Sequence, residues 1–165
     1  MVEHLWAPWR ITYIETGGKV EGCIFCVLPE QNKDSENLIL YRGKTAFAMM
    51  NTYPYNNGHL MVAPFKHTAD MYELTDEEIL EVNYLIRYFI RVLGEAMHPN
   101  GYNLGVNLGK VAGAGVEDHI HWHIVPRWNG DTNFMPVIAD IKVMPESLQS
   151  TYDKLKKAME TIGEP

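Results

Sequence analysis

The distribution of apolar and polar residues along the chain predicts a small sheet followed by helices. Short apolar runs bounded by turn residues indicate strands, and Arg42-Gly43-Lys44 joins the first two as a hairpin. A third run follows the turn Asn56-Asn57-Gly58 and ends at Pro64. The five predicted strands span residues 38–41, 46–50, 59–63, 102–108 and 119–125.

Helical periodicity is clearest after Thr75, where Thr75-Asp-Glu-Glu78 has the form of a capping box. Apolar residues then recur three or four positions apart as far as Met97, and Pro99 stops the pattern. A second amphipathic helix is predicted over residues 146–161. Strands and helices are segregated along the chain. We therefore expect an α+β fold with a largely antiparallel five-stranded sheet, one long helix and one C-terminal helix.

Length and composition favour one domain. The chain has 165 residues, 46% of them hydrophobic, which is enough for one sizeable core. Within a single domain over residues 1–165, residues 1–22 are rich in Trp, Pro and Gly and are predicted to form an N-terminal arm. Residues 23–130 would form the core, and residues 131–165 a C-terminal extension that carries the last helix.

The charge balance restricts the partners. The 14 Lys and Arg against 21 Asp and Glu give a net charge of −7, which argues against a broad grip on a nucleic acid polymer. No apolar run reaches the roughly 18 residues of a membrane helix. The start of the chain lacks the basic and apolar regions of a signal peptide. We expect a cytoplasmic protein that does not bind membranes.

Three histidines stand at alternate positions: His119, His121 and His123. In a strand these side chains share one face, while Ile120, Trp122 and Ile124 take the other. A single strand histidine is most often an ordinary solvated residue, but three in register favour chemistry. They suit either a metal centre, for which His59, His67 and Asp118 are available as further ligands, or nucleophilic catalysis by one imidazole. The spacing alone does not separate the two.

The only cysteines form the pair Cys23-Ile-Phe-Cys26. In a reducing compartment this pattern indicates a redox dithiol or half of a metal site, and two buried thiols are the plain alternative. Together with His67 and one of the three histidines, the pair would complete a tetrahedral Cys2His2 set, which is typical of structural zinc.

A glycine-rich stretch, residues 109–115, leads into the three histidines. Such loops let backbone N–H groups approach an anion, although many are only structural. Asn51, Asn103 and Asn107 offer neutral donors for sugar hydroxyls or phosphate oxygens, and ordinary turn and strand-end roles are equally compatible with them.

With these residues the chain resembles the histidine triad family, whose motif is matched by His119-Ile-His-Trp-His-Ile-Val125. Asn51, Gly58-His-Leu-Met-Val-Ala-Pro64 and Gly105-Val-Asn-Leu-Gly109 extend the resemblance over residues 20–130. The segments 6–10 and 127–134 resemble the microbial branch related to diadenosine tetraphosphate phosphorylases.

The resemblance implies an enzyme that cleaves nucleotides at the α-phosphate. By that pattern His121 is the nucleophile and forms a nucleotidyl-histidine, and His123 orients the leaving side or assists proton transfer. Asn51 is expected at the ribose, His59 at the nucleotide or phosphate, and the glycine-rich loop at the polyphosphate. The implied nucleotide-binding set is Asn51, His59, Asn107, Gly113, Gly115, His121 and His123.

The family pattern also implies structural zinc, held by Cys23, Cys26, His67 and His119, with no organic cofactor, and a homodimer whose sheets pair across the two-fold axis. Where better-known members have a glutamine and a Ser or Thr facing the phosphates, this chain has Gly109-Lys110 and Gly115. We therefore expect backbone groups to supply those donors. Thr132 and Asn133 are assigned no chemistry.

Four alternatives follow from the same residues, and the nucleotide-cleaving enzyme is the first. Within the enzyme class, hydrolysis and phosphorolysis differ only in the acceptor that resolves the intermediate. A second class is a nucleotide-binding, zinc-bearing interaction protein with slow turnover. A third is a metalloenzyme whose catalytic metal is held by the three histidines, and a redox role of Cys23 and Cys26 is a minor fourth.

Overall fold

The computed structural model describes residues 21–131 and 144–165. These residues contain ten elements of secondary structure. The helices are α1 (Ile24–Glu30), α2 (Asp76–Met97) and α3 (Leu148–Ile162), and two single 3-10 turns cover Met71–Glu73 and Lys110–Ala112. The strands are β1 (Ile39–Arg42), β2 (Ala46–Met50), β3 (Leu60–Pro64), β4 (Gly101–Val106) and β5 (Trp122–Arg127).

All five strands form one antiparallel sheet in the order β1-β2-β3-β5-β4. The predicted α+β class, with one long and one C-terminal helix, is confirmed. A short helix, α1, was not predicted. Within residues 21–131 and 144–165, no helix is both long and apolar enough to cross a bilayer.

The long helix α2 begins as the sequence predicts. Thr75 accepts from the backbone N–H of Glu78, and the Glu78 carboxylate accepts from the N–H of Thr75, which completes a capping box. The helix ends at His98, whose positive φ of 47° closes its last turn. Together with α3, this helix covers one face of the sheet and buries the main core, to which it contributes Val82, Leu85, Tyr88, Phe89, Val92 and Leu93.

The opposite face of the sheet carries a second, smaller core beneath α1. Phe25 of α1 packs there on Phe47, Met49 and Met61 of β2 and β3. Helix α1 therefore brings Cys23 and Cys26 to the face on which the three histidines lie.

Four of the five strands differ from the prediction in their bounds. The first runs from Ile39 to Arg42 instead of over 38–41. The last strand begins at Trp122 instead of 119, because the backbone N–H of Ile120 donates to the carbonyl of Thr68 at 2.7 Å and pairing with β3 starts only at Trp122. The strand predicted over 102–108 ends at Val106, and the third strand runs from Leu60 to Pro64. Most of the predicted N-terminal arm lies outside the described residues, and the predicted division into arm, core and extension stays a prediction.

Candidate active site and metal centre

The three alternating histidines are all buried. Their exposed fractions are 0% for His119, 5% for His121 and 8% for His123, so they do not form a solvent-facing row. The rings of His119 and His121 lie against Phe25 in the small core, whereas Ile124 points into the main core. Alternation along an extended segment thus separates a chemical face from a packing face.

The two cysteines and two histidines meet at one point. The Nδ1 atom of His119 lies 3.3 Å from Sγ of Cys23, 3.6 Å from Sγ of Cys26 and 3.2 Å from Nδ1 of His67. Sγ of Cys26 lies 3.4 Å from Nδ1 of His67. We call Cys23, Cys26, His67 and His119 the metal-ligand cluster.

These separations fit zinc. An ion with tetrahedral bonds of about 2.0–2.3 Å sets its ligand atoms roughly 3.3–3.8 Å apart. All four ligand atoms of the cluster lie within 4.8 Å of one another, and both thiols are free. Two thiolates and two imidazoles are also the donors that structural zinc takes. The cluster therefore suits a zinc ion on both geometry and donor chemistry.

His119 is held in the form that a metal needs. Its Nε2 donates to the carbonyl of Pro64 at 2.9 Å, so the lone pair of the neutral ring lies on Nδ1, which faces the cysteines. Such a hydrogen bond to the remote nitrogen is the usual support of a histidine ligand. Of the three alternating histidines, only His119 belongs to the metal-ligand cluster, and Asp118 is not a member either.

His121 presents its other nitrogen. Its Nδ1 lies 2.9 Å from the carbonyl oxygen of His119, and because that oxygen can only accept, Nδ1 carries the proton. The lone pair then lies on Nε2. Burial lowers the pKa of His121 and outweighs its hydrogen bond to His119, so the ring is neutral at pH 7. A neutral imidazole with an available lone pair is a competent nucleophile.

His123 is paired with His59. The backbone N–H of Tyr55 donates to Nδ1 of His59 at 3.0 Å, which places the proton of His59 on Nε2. That proton is donated to Nδ1 of His123 at 2.9 Å, so His123 carries its own proton on Nε2. Burial, followed by repulsion from neighbouring histidines, lowers the pKa of His59 to about 3 and that of His123 to about 4.

Phe25 and Tyr55 also line this site, and neither was assigned a role from the sequence. The ring of Phe25 lies 4.6 Å from that of His121, and the half-exposed ring of Tyr55 stacks on His59 at 4.7 Å. Their positions in the sequence could have indicated a role, because Phe25 lies between the cysteines and Tyr55 lies in the turn before His59. Asn51 lies beside them, with its Nδ2 atom 3.3 Å from Nδ1 of His59.

The glycine-rich stretch forms a 3-10 turn on the way to the histidines. Gly109 and Gly113 have φ angles of 78° and 88°, which favour glycine, while Nδ2 of Asn107 donates to the carbonyl of Gly113 at 3.3 Å. Gly115 has ordinary φ and open space around its Cα, so a ligand can approach its backbone. Asn103 has a structural contact, because its side-chain oxygen accepts from Arg127 at 2.9 Å.

Comparison with known proteins agrees with this geometry. A family model described as the HIT domain matches residues 32–130, and the chain therefore belongs to the histidine triad (HIT) family. Over 158 residues it is 38% identical to the AP-4-A phosphorylase of Mycobacterium tuberculosis, covering 91% of this chain and 80% of that protein. The predicted family and its branch are confirmed.

A second relative and a solved structure extend the comparison. The chain is 28% identical over 133 residues to the adenosine 5'-monophosphoramidase of Schizosaccharomyces pombe, covering 81% of this chain and 95% of that protein. The crystal structure of a Zn-bound histidine triad family protein from Mycobacterium smegmatis aligns with a TM-score of 0.70 at 25% identity. That alignment covers 86% of this chain and 95% of the other, and it agrees with the fold described above.

Proposed function

We propose that this protein cleaves dinucleoside polyphosphates of the diadenosine tetraphosphate type at the α-phosphate, through a nucleotidyl intermediate on His121. The observation that carries the proposal is the hydrogen bond from Nδ1 of His121 to the His119 carbonyl, which leaves Nε2 as the free nitrogen. The 38% identity to an AP-4-A phosphorylase supports the substrate class.

In the first step, Nε2 of His121 attacks the α-phosphorus, so a P–N bond forms and the P–O bond to the leaving polyphosphate breaks. His123 presents an N–H at Nε2, by the tautomer deduced above, and donates a hydrogen bond from it to the leaving oxygen, whose negative charge it stabilises as the P–O bond breaks. In the second step, water or inorganic phosphate displaces His121 from phosphorus. Dividing the displacement in this way gives two steps with a good leaving group in each.

The residues proposed to bind the nucleotide lie on the loops around the histidines. Asn51, Asn107 and the backbone at Gly113 and Gly115 are proposed to bind sugar and phosphate, and the open space at Gly115 supports that approach. His59 was expected to contact the nucleotide directly. Since both its nitrogens have protein partners, we assign it instead to fixing the proton of His123.

Zinc is proposed to be held by the metal-ligand cluster and to be structural. A zinc ion bound there would link α1 to the segment before β5 and would take no part in the reaction. Pro64 keeps His119 in the required tautomer, and His121 and His123 stay outside the cluster.

We further propose that two chains form a homodimer through β4 and α2. Strand β4 lies at the edge of the sheet and leaves Leu104 52% exposed. Leu104 pairs in register with Ile124 and therefore lies on the α2 side of the sheet. An exposed strand edge next to an apolar residue is suited to pairing with a second copy.

The decisive experiment supplies diadenosine tetraphosphate with and without inorganic phosphate, with His121→Ala as the control. ATP plus ADP, formed only with phosphate, identifies a phosphorylase, and ATP plus AMP identifies a hydrolase. A His121→Ala variant that is as fast as wild type would refute the proposal that His121 is the nucleophile.

A second substrate class is favoured by the relative in S. pombe, an adenosine 5'-monophosphoramidase. Adenosine phosphoramidate should therefore be assayed in parallel, since attack by His121 on its phosphorus breaks a P–N bond by the same route. Turnover of the phosphoramidate alone would redirect the substrate assignment and keep the mechanism. Slow turnover of both would favour the nucleotide-binding interaction protein.

A further inference from the structure

One aromatic ring touches both the metal-ligand cluster and the proposed nucleophile. Phe25 is 1% exposed, and its ring lies 5.2 Å from that of His119 and 4.6 Å from that of His121. The two rings are tilted against each other, with an interplanar angle of 33°, and their centroids are close enough for direct contact. This contact limits rotation of the His121 ring about its Cβ–Cγ bond.

The backbone around Phe25 ties it to the cysteines. The N–H groups of Cys26 and Val27 donate to the carbonyl of Cys23 at 3.0 and 2.9 Å, which makes residues 23–27 the first turn of α1. Phe25 therefore shares one helical turn with two members of the metal-ligand cluster. Any displacement of this turn moves the ring that lies on His121.

The nucleophile is thus held from two directions, and each support comes from a segment that carries cluster residues. The carbonyl of His119 fixes which nitrogen of His121 is protonated. The ring of Phe25 fixes the plane in which the free Nε2 lies. In-line attack on phosphorus needs both, because misplacement by about 1 Å can lower a rate about 100-fold.

We propose that Phe25 is a positioning residue, which holds the plane of His121 and transmits to it the order of the metal-ligand cluster. This inference rests on the proposed role of His121 as nucleophile. It gives the residue between the two cysteines a function in catalysis without contact to the reacting atoms.

Phe47 provides a matched control. It is also buried in the small core, at 0% exposure, and the rings that it contacts within residues 21–131 and 144–165 are those of Phe25 and Phe65, with no histidine among them. Phe47→Leu removes the same atoms as Phe25→Leu from the same core. Phe25→Met, whose flexible side chain adapts to irregular gaps but has no flat face, serves as a second variant if the first does not fold.

The test combines kinetics with ¹⁵N NMR of the histidine rings in the zinc-loaded protein. For Phe25→Leu and Phe25→Met we expect kcat to fall at least about 10-fold with KM within about 2-fold. Because a His121 ring that is free to turn loses its hydrogen bond to the His119 carbonyl, we also expect its signals to report a mixture of tautomers. Phe47→Leu should keep kcat within about 2-fold of wild type and a single His121 tautomer.

The proposal is overturned if the Phe25 and Phe47 variants lower kcat alike, or if His121 keeps one tautomer in the Phe25 variants. Zinc removal from the wild-type protein is an independent arm that needs no variant. The His121 signals should then broaden or double, and unchanged signals would contradict transmission from the cluster. The NMR result stands even if wild-type protein fails to cleave the tetraphosphate, so it separates this proposal from the proposed function.

Discussion

The Nε2 atom of His59 lies 2.9 Å from Nδ1 of His123, and both rings are buried. Because Tyr55 and Asn51 occupy Nδ1 of His59, the only proton that His59 has when neutral is directed at His123. One residue outside the triad motif thus determines which nitrogen of His123 is available as a donor.

Replacing His59 tests that relationship. His59→Leu removes the donor to His123 and should lower kcat for the tetraphosphate about 10- to 100-fold, because the hydrogen-bond donor to the leaving oxygen loses its orientation. His59→Gln can place an amide N–H near the position of Nε2 and should keep most of the rate. The measurement is steady-state kinetics of both variants, and equal losses would show that hydrogen bonding to His123 is not what matters.

The same pair should make the fold sensitive to acid. The folded pKa values of about 3 for His59 and about 4 for His123 lie below the ordinary value of 6.5. The unfolded chain therefore binds more protons between about pH 6.5 and 4, so the free energy of unfolding falls as pH drops through that window. Each imidazole contributes at most about 1.4 kcal/mol per pH unit.

Urea unfolding between pH 7 and 4.5 measures this slope. His121 and His123 face His59 and titrate with it, so the comparison is made between variants and not from one profile. His59→Gln should reduce the slope by about one proton. His98→Asn replaces an exposed histidine at a positive-φ position that asparagine tolerates, and it is the control for loss of a histidine outside this pair. Identical slopes in all three proteins would contradict the prediction.

Much of this architecture follows from local sequence rules. The capping box at Thr75 fixes the start of α2, and alternation from His119 to His123 separates two faces. What the sequence does not encode locally is tertiary contact. The extended segment before β5 bonds to Thr68 instead of β3, and Phe25 meets His121 across 96 positions of chain only because α1 folds onto the sheet. The metal-ligand cluster contains the same four residues that the family pattern implies, because two cysteines and two histidines at such spacings are typical of a zinc site.

Zinc content distinguishes the proposed ligands from the histidines proposed to be catalytic. Cys23→Ser and His67→Asn should lower bound zinc well below one ion per chain, and His121→Gln should not, since His121 lies outside the cluster. The Tm of the two ligand variants should fall by at least about 5 °C, because a structural ion contributes directly to folding. Plasma emission analysis and calorimetry measure both quantities. Zinc that survives Cys23→Ser but is lost in His121→Gln would favour the metalloenzyme.

Glu81 of α2 should be important for stability. Its carboxylate accepts from the backbone N–H groups of Lys44 and Ala46 at 2.7 and 3.1 Å, and from both donors of Thr45. Glu81→Gln replaces one acceptor oxygen with a donor facing those N–H groups, and should cost about 2 kcal/mol. The control is Glu77→Gln, which removes an exposed ion pair with Lys44 and should cost less than about 1 kcal/mol. Chemical denaturation of both variants decides whether the carboxylate closes the β1–β2 turn.

The proposed homodimer predicts a specific response to charge at the edge of the sheet. Leu104→Lys places an ammonium group on β4, on the α2 side of the sheet, where strand pairing with a second chain would bury it, and we expect dissociation to monomers. Leu108 is equally exposed, at 52%, but lies beyond the end of β4, so Leu108→Lys is the matched control and should stay dimeric. Light scattering after size-exclusion chromatography gives the mass of each. If wild type and both variants are all monomers, the dimer is excluded at that concentration, and if both variants dissociate, the contact extends past β4 toward the glycine-rich loop.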